Sequence, residues 1–284
     1  MKLVTFNMQW GLGVDGRVDL PRIVEAARAM ADFDVLCLQE VADNYPALKG
    51  NTDMNQFASL AALLPGFTAI EGIGVDVQGE GRRKRFGNMI LTRLPVLSVR
   101  RHLLPWPADP AVSSMPRVAI EATLGLPMGP VRVTTTHLEY YSARQRNAQA
   151  GRLHALHDEA CARALRPGPA TSEGGPFDAT PQTSSAILTA DFNFPPEDPA
   201  HDALMAPLAS DGPAYRDAWQ VANPRKPHPP TFCVHDRTWR DEPYCCDFIY
   251  VSEDLARQVR AVEVDTDTQA SDHQPVLLHL DDRR

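Results

Sequence analysis

Apolar and polar positions along the chain follow two periods, and the switches between them divide it into elements. Near the N-terminus "KLVTFNM" alternates as a strand does. "LPRIVEAARAMADF" then carries apolar residues at helical spacing, and "DVLCLQEV" is a short apolar run. The pattern predicts a second helix over 54–64, ended by Pro65 and Gly66. Strands are expected in "FTAIEGIGV", "RFGNMILTRLPVLSVRRHLL", "RVAIEATLGL" and "PVRVTTTHLEY", separated by turns bearing Gly or Pro. A long helix follows at about 143–165, and then "RPGPATSEGGPFDATPQTSS", whose composition predicts a flexible surface loop at about 166–185. In the second half "AILTADFNF" reads as a strand and "DPAHDALMAPL" as a helix. "YRDAW" reads as the start of another helix, and "DFIYVS" and "PVLLHL" as strands. Several strands are apolar without interruption, as expected when both faces are covered. The fold class this predicts is α/β, two packed sheets with helices outside, in one domain over 1–284. No short-period repeat is present, although the two halves look architecturally alike.

Composition narrows the picture. At 284 residues and 43% hydrophobic, the chain has enough apolar material for a large core. A net charge of −8 disfavours tight, non-specific binding of long polyanions unless a local patch or a metal offsets it. "RRKR" at 82–85 is such a patch, readable either as a solvated loop or as a phosphate contact. The five cysteines form no CxxC pair, so their spacing suggests neither a zinc site nor a disulfide framework, and a reducing compartment is the natural reading. There is no apolar leader and no run of membrane-spanning length. The expectation is a soluble, cytoplasmic protein, taken to be a monomer.

Polar residues recur in one expected position, the C-terminal end of an apolar strand. They are Asn7 in "VTFNMQ", Glu40 in "LCLQEV", His137 in "TTTHLE", Asp191 and Asn193 in "ILTADFNF", and Asp247 in "CCDFIY". Asp272 and His273 in "SDHQP" precede their strand, which an antiparallel neighbour would bring beside the others. Each has a bland reading: Asn7 and Asp191 suit a turn or a helix cap, and His137 suits a satisfied strand-end histidine. Glu40 and Asp247, set against apolar runs, need partners. Gathered at one edge they make coherent chemistry. Glu40 with amide and carboxylate oxygens suits Mg²⁺, or Mn²⁺, rather than Zn²⁺. Asp191 would orient or deprotonate a water, and Asn193 and His137 would hold phosphoryl oxygens. His273, oriented by Asp247, would stabilise transition-state charge.

In order, "TFNMQ", "LCLQEV", "GNMILTRLPV", "TTTHLE", "LTADFNF", "DFIYVS" and "SDHQPV" resemble the motifs of the endonuclease/exonuclease/phosphatase superfamily, from residue 5 to 276. The resemblance implies a four-layered α/β sandwich, two mixed sheets flanked by helices, with a divalent-metal centre at one edge that hydrolyses phosphodiesters or phosphomonoesters. It implies that Glu40 is the principal metal ligand, with Asn7 and Asp272 near the same ion. Asp191 and Asn193 match the family's D-x-N pair, and Asp247 with His273 its catalytic Asp–His pair. His137 resembles a histidine of the deoxyribonuclease, sphingomyelinase, inositol-phosphatase and deadenylase branches, and abasic-site repair is demoted. Arg117 resembles an arginine that often faces the site. Arg146 and Gln149 look like an R-x-x-Q on the helix after the histidine, where Arg146 is either a phosphate contact or an exposed helix arginine. Cys245 is a departure, since many members carry Arg there.

Substrate choice is expected in three loops: "GVDVQGEGRRKRFGN", "LLPWPADPAVSSMP" and "VANPRKPHPPTFCVHDRTWRDEPYCC". Trp106, Tyr140, Tyr141 and Trp239 either stack on a substrate or pack the loops. The leading expectation is a metal-dependent phosphodiesterase or nuclease, with nucleic acid among its candidate substrates. The alternatives are a phosphatase on a small or lipid-derived phosphate, and a non-catalytic scaffold of the same fold.

Overall fold

A computed structural model describes residues 1–283. The strands form two six-stranded mixed sheets. The first holds β1 (Lys2–Asn7), β2 (Val35–Asp43), β3 (Thr68–Val77), β4 (Lys84–Thr92), β11 (Val259–Val264) and β12 (Val276–Leu280), in the order β11-β12-β1-β2-β4-β3. The second holds β5 (Val96–Leu103), β6 (Val118–Leu126), β7 (Gly129–His137), β8 (Ala186–Asp191), β9 (Tyr215–Asp217) and β10 (Asp247–Ser252), in the order β5-β6-β7-β8-β10-β9. Each sheet is antiparallel except at its centre, where β1 runs parallel to β2 and β7 parallel to β8.

Strand alternation explains the layering, because successive side chains point to opposite faces. Leu3, Val35, Cys37 and Ile90 turn inward and meet Ile120, Val133, Ile187 and Ile249 of the other sheet. Their neighbours Val4, Phe6, Leu36 and Leu38 turn outward under α1 (Leu20–Met30) and α2 (Gln56–Leu63), against Ile23, Ala27, Phe57 and Leu60. On the far side Leu188, Ala190, Phe248 and Tyr250 pack under α3 (Ala143–Leu165) and α4 (Pro199–Leu204), against Leu153, Leu156 and Leu204. The sheets approach closely at Gly72, where any Cβ would collide with Ile120. The helices begin where capping side chains allow: Asp19 accepts from Arg22 N, Asn55 from Ala58 N and Ser142 from Gln145 N. Each cap contributes about 1 kcal/mol.

Four local readings change. Glu40 does not end its strand. It sits within β2 at a bulge, with φ 60°, where the register with β4 shifts between Leu38 and Val41. A bulge re-aims a side chain while pairing resumes beyond it. Asp247 opens β10 rather than closing a strand, and the antiparallel register sets it opposite Asp191. "YRD" is the short strand β9, paired with β10, and the helix α5 (Ala218–Ala222) starts only after Asp217. β11 is an edge strand paired only with β12, too short and too charged to stand out as a run. Residues 166–185 form neither helix nor strand and are mostly exposed, with Asp178 accepting from Thr171 Oγ1 and from Gly174 N. Among the described residues no helix is long and apolar enough to cross a membrane.

Candidate active site

The parallel strand pairs of the two sheets point to the same edge, where Asn7, His137 and Asp191 end their strands and the bulge of β2 brings Glu40. Asn7, at the end of β1, donates from Nδ2 to Asp191 Oδ2 at the end of β8 (2.9 Å) and to Glu40 Oε1 (3.2 Å). Its Oδ1 accepts from Gln9 N at 3.1 Å, which fixes the amide's orientation. As placed, Asn7 therefore braces two carboxylates with its nitrogen and turns its oxygen to the backbone. The Asp191 Oδ1 accepts from Asn193 N (3.0 Å), closing a turn that holds Asn193 at φ 55°. Asn193 Nδ2 then donates to Leu138 O (2.9 Å) and to His137 Nε2 (3.0 Å). With Nε2 accepting, the His137 proton sits on Nδ1, the atom 3.8 Å from Glu40 Oε1.

The second half of the cluster comes from the antiparallel neighbours. His273 Nδ1 donates to Asp247 Oδ2 at 2.9 Å, and its Nε2 lies 3.5 Å from Asp191 Oδ2. The Phe232 ring covers the imidazole at 4.5 Å between centroids. Asp272 accepts from Gln9 Nε2 at 2.7 Å and from Ser271 Oγ at 3.2 Å. Thr231 Oγ1 takes the backbone N–H of both Cys246 and Asp247, at 3.1 Å each, so it sets where β10 begins. Gln9, Thr231 and Phe232 carried no role in the sequence reading. Gln9 lies inside the "TFNMQ" motif, but the other two sit in a loop whose composition says nothing of position.

The charges are unbalanced. Burial opposes charge on His273, yet Asp247 and Asp191 beside it hold its pKa well above the usual range, so it is an imidazolium. Burial pushes Asp191 up to about 6 and Asp272 up to about 7, against the pull of His273 in both cases. Glu40 is raised for the same reason. His137, buried and facing Arg117 and His273, is held well below its usual value and is neutral. Burial raises a carboxyl in this way because low-dielectric surroundings disfavour its charged form, and neighbouring carboxylates add to it. An oxygen-rich set so short of cation fits a hard divalent ion, with Glu40 and Asp272 as its carboxylate donors.

Arg117 opens β6 from beside the site. It is buried, its Nη2 and Nε reach Glu139 Oε2 at 3.2 and 3.3 Å, and its Nη1 has no partner. Arg146, the other arginine considered for substrate, donates from Nη1 to the carbonyls of Glu139 and Tyr140 (2.9 and 2.8 Å). Gln149 Oε1 accepts from Glu139 N at 2.9 Å. The R-x-x-Q pair thus shapes the segment that carries Tyr140.

Part of this cluster lines a cavity of about 370 Å³. Gln9, Glu40, Arg117, His137, Asp191, Asn193, Asp272 and His273 line its base, and Trp10, Tyr45, Phe86, Tyr140, Tyr141 and Trp239 are among its walls. Each of the three loops singled out in the sequence contributes, through Val75 and Phe86, through Met115, and through Phe232 and Trp239. Trp106 instead donates to Ser114 Oγ (2.8 Å) within its own loop. The basic run is partly offset by its surroundings: Arg82 pairs with Asp43, Arg83 and Arg85 share Asp76, and Lys84 lies over the Tyr45 ring.

Two mixed sheets with a polar centre at one edge define a class, the four-layered α/β sandwich with its site where the central strands end. A sequence profile of the Endonuclease/Exonuclease/phosphatase family matches residues 4–273, and the chain belongs to that family. Its members are generally hydrolases of phosphoesters that use a divalent metal. Among solved structures, the fold is similar to that of an endonuclease/exonuclease/phosphatase from Beutenbergia cavernae (23% identity, 99% of this chain and 71% of that one, TM-score 0.67). It is also similar to a mannosyl-6-phosphatase of Bacteroides thetaiotaomicron (20%, 99% of both chains, 0.65). The human Nocturnin catalytic domain, solved with a bound sulfate, is a third (18%, 98% and 92%, 0.62). No curated protein matches the chain in sequence.

Proposed function

We propose that the protein is a divalent-metal-dependent hydrolase of phosphate esters, foremost a phosphodiesterase, acting on a substrate that carries an aromatic or apolar group beside its phosphate. The observation that carries this is the buried excess of carboxylate around a single imidazolium at the base of an aromatic-walled cavity. Glu40 and Asp272 would hold Mg²⁺ or Mn²⁺, braced by Asn7. When bound, the ion would polarise the phosphoryl group and neutralise charge on it.

The chain's own residues do the rest. Asp191, fixed by Asn7 and Asn193, orients the attacking water and takes its proton. His273, kept charged by Asp247, and Arg117, through its free Nη1, face the charge that builds on the phosphoryl oxygens. His137 offers Nδ1–H to a non-bridging oxygen, and Asn193 sets that tautomer from behind. The aromatic walls exclude water and give a flat or apolar group a place to stack. Because the "RRKR" arginines are paired, a small ester suits the site better than a long polynucleotide.

A phosphomonoesterase is the second reading. The two cationic groups facing one cavity, His273 and Arg117, suit a dianionic monoester, and a family neighbour is named for such an activity. Turnover of bis-p-nitrophenyl phosphate, p-nitrophenyl phosphate and supercoiled plasmid, each with Mg²⁺, Mn²⁺ or a chelator, tests both. Metal-dependent diester cleavage without monoester cleavage supports the first reading, and the reverse supports the second. Silence with every substrate and metal leaves a scaffold of the same fold.

A further inference from the structure

A second group of ligating side chains lies behind the site, on the helix side of the second sheet. Asp217 ends β9 and caps α5, its Oδ1 accepting from Trp219 N (2.8 Å) and Gln220 N (3.3 Å). Its other oxygen, Oδ2, faces two imidazoles: His201 Nε2 from α4 at 2.9 Å and His228 Nε2 from the loop after α5 at 2.7 Å. His201 and Asp217 are fully buried and His228 nearly so. The three ligand atoms lie within 4.8 Å of one another. None of them touches the cluster around Glu40, and nothing proposed for phosphoester cleavage uses them.

Cys245 completes the picture. It is buried, and its thiol lies 3.7 Å from Asp247 O. With Asp217 and His228, but not His201, it lines a void of about 10 Å³, the scale of a single water-sized sphere, and its sulfur lies outside the 4.8 Å group that the other three form. Hydrogen bonding alone accounts for the two imidazoles on one carboxylate, but not for a void bordered by a thiol beside them. Two nitrogens, one carboxylate oxygen and one sulfur are a donor set for a tetrahedral, zinc-type ion.

We propose that His201, Asp217, His228 and Cys245 form a structural site for a zinc-type divalent cation, separate from the catalytic metal. Zinc–nitrogen and zinc–oxygen bonds of about 2.0–2.1 Å place neighbouring ligands about 3.3 Å apart. The His201 and His228 contacts to Asp217 must therefore open by about half an ångström, and the Cys245 thiol must turn from the Asp247 carbonyl toward them. On binding, each imidazole proton moves from Nε2 to Nδ1, freeing the Nε2 lone pair, and the thiol releases its proton to solvent. Asp217 binds through Oδ2, because its Oδ1 is already held by Trp219 N and Gln220 N. One carboxylate and one thiolate neutralise the ion, which removes the cost of burying a net charge. The bound ion would tie α4, β9 and the His228 loop to the chain two residues before Asp247, and so fix the Asp247–His273 pair from behind.

The test uses full-length protein stripped with a chelator and loaded with zinc alone or cobalt alone. Glu40→Gln, which removes the catalytic ligand, is expected to keep about one tightly held equivalent of zinc and to melt higher when zinc is added. His228→Gln is expected to lose both effects while keeping its far-ultraviolet circular dichroism. Cobalt in the Glu40→Gln protein is expected to give a tetrahedral visible spectrum with a thiolate charge-transfer band, and Cys245→Ser to remove that band. The cobalt measurement stands even where the His228 variant fails to fold. No zinc retained by Glu40→Gln, zinc retained equally by His228→Gln, or cobalt without the thiolate band would each overturn the four-ligand site. Magnesium-dependent turnover is read separately, so failure here leaves the hydrolase reading in place.

Discussion

Arg117 ties stability to chemistry, and Arg117→Met separates them. The guanidinium is buried against Glu139, whose side chain is 1% exposed, its Nη1 is buried without a partner, and the residue lines the cavity. Removing it strands a buried carboxylate that keeps only the Tyr141 N–H on Oε1, at 3.1 Å. Breaking such a pair costs about 3–5 kcal/mol. The double variant Arg117→Met/Glu139→Gln removes both charges and is expected to regain most of that stability in urea unfolding, with an unchanged m-value. Activity should follow a different course. Losing a preorganised donor to the transition state lowers kcat by about 10²–10³-fold, and the double variant, lacking the same Nη1, should be as slow as the single one. Arg117→Lys should keep much of the stability but little of the rate, because one ammonium cannot serve Glu139 and the phosphate in the guanidinium's forked geometry. If Arg117→Met kept wild-type kcat/KM, or the double variant were no more stable than the single, this account of the pair would be wrong.

Other outcomes follow from the same geometry. Glu40→Gln should cut turnover by orders of magnitude and raise the Mg²⁺ concentration needed for half-maximal rate, read by titrating metal into the chelated enzyme. Asp247→Asn should slow turnover less than His273→Asn does, because it weakens the imidazolium's partner without removing the cation; steady-state rates across pH check this. His157, on α3, is buried with Nδ1 accepting from Arg132 (2.7 Å) and Nε2 donating to Pro213 O (2.8 Å). Burial and Arg132 hold its pKa at about 4, below the ordinary 6.5. The unfolded chain therefore takes up this proton first on acidification. Its contribution is full above pH 6.5 and is lost as pH falls toward 4, by at most about 3 kcal/mol. His157→Gln should flatten that part of the stability curve by one proton's slope, measured by urea unfolding at successive pH values.

The sequence disclosed the layers more readily than the site's wiring. Alternation in "KLVTFN" marks a strand, the unbroken apolar run in "DVLCLQ" marks one covered on both faces, and helical spacing in "LPRIVEAARAMADF" marks a helix, because those signals act within a few residues. Candidate site residues were found where a polar group interrupts an apolar run that cannot bury it unpaired. What stayed hidden depends on pairing across the chain. The Glu40 bulge exists only relative to β4, the start of β10 is set by Thr231 sixteen residues upstream, and β9 is a strand because β10 lies beside it. Arg146 resembled a phosphate contact, yet its partners are carbonyls of the loop preceding its own helix, and no local pattern distinguishes the two.

The likeness of the two halves gives the site its form. In each sheet the parallel central pair ends at the edge, β1 and β2 bringing Asn7 and Glu40, β7 and β8 bringing His137 and Asp191. In each sheet an antiparallel strand beside that pair starts at the same edge, with His273 just before β12 next to β1, and Asp247 opening β10 next to β8. A strand's end and its antiparallel neighbour's start necessarily share a border, so each sheet delivers three polar side chains to one rim. Packing the sheets face to face then sets Asp247 of one against His273 of the other, 2.9 Å apart, and Asn7 of one against Asp191 of the other. The charged pair therefore depends on sheet-to-sheet registry, which the close approach at Gly72 and Ile120 enforces. Gly72→Ala, outside the cavity lining, should widen that contact and lower kcat while leaving metal affinity near wild type, because Asn7, Glu40 and Asp272 all belong to the first sheet's edge. An equal loss of metal affinity would show that the ion, and not the Asp247–His273 pair, is what the registry holds in place.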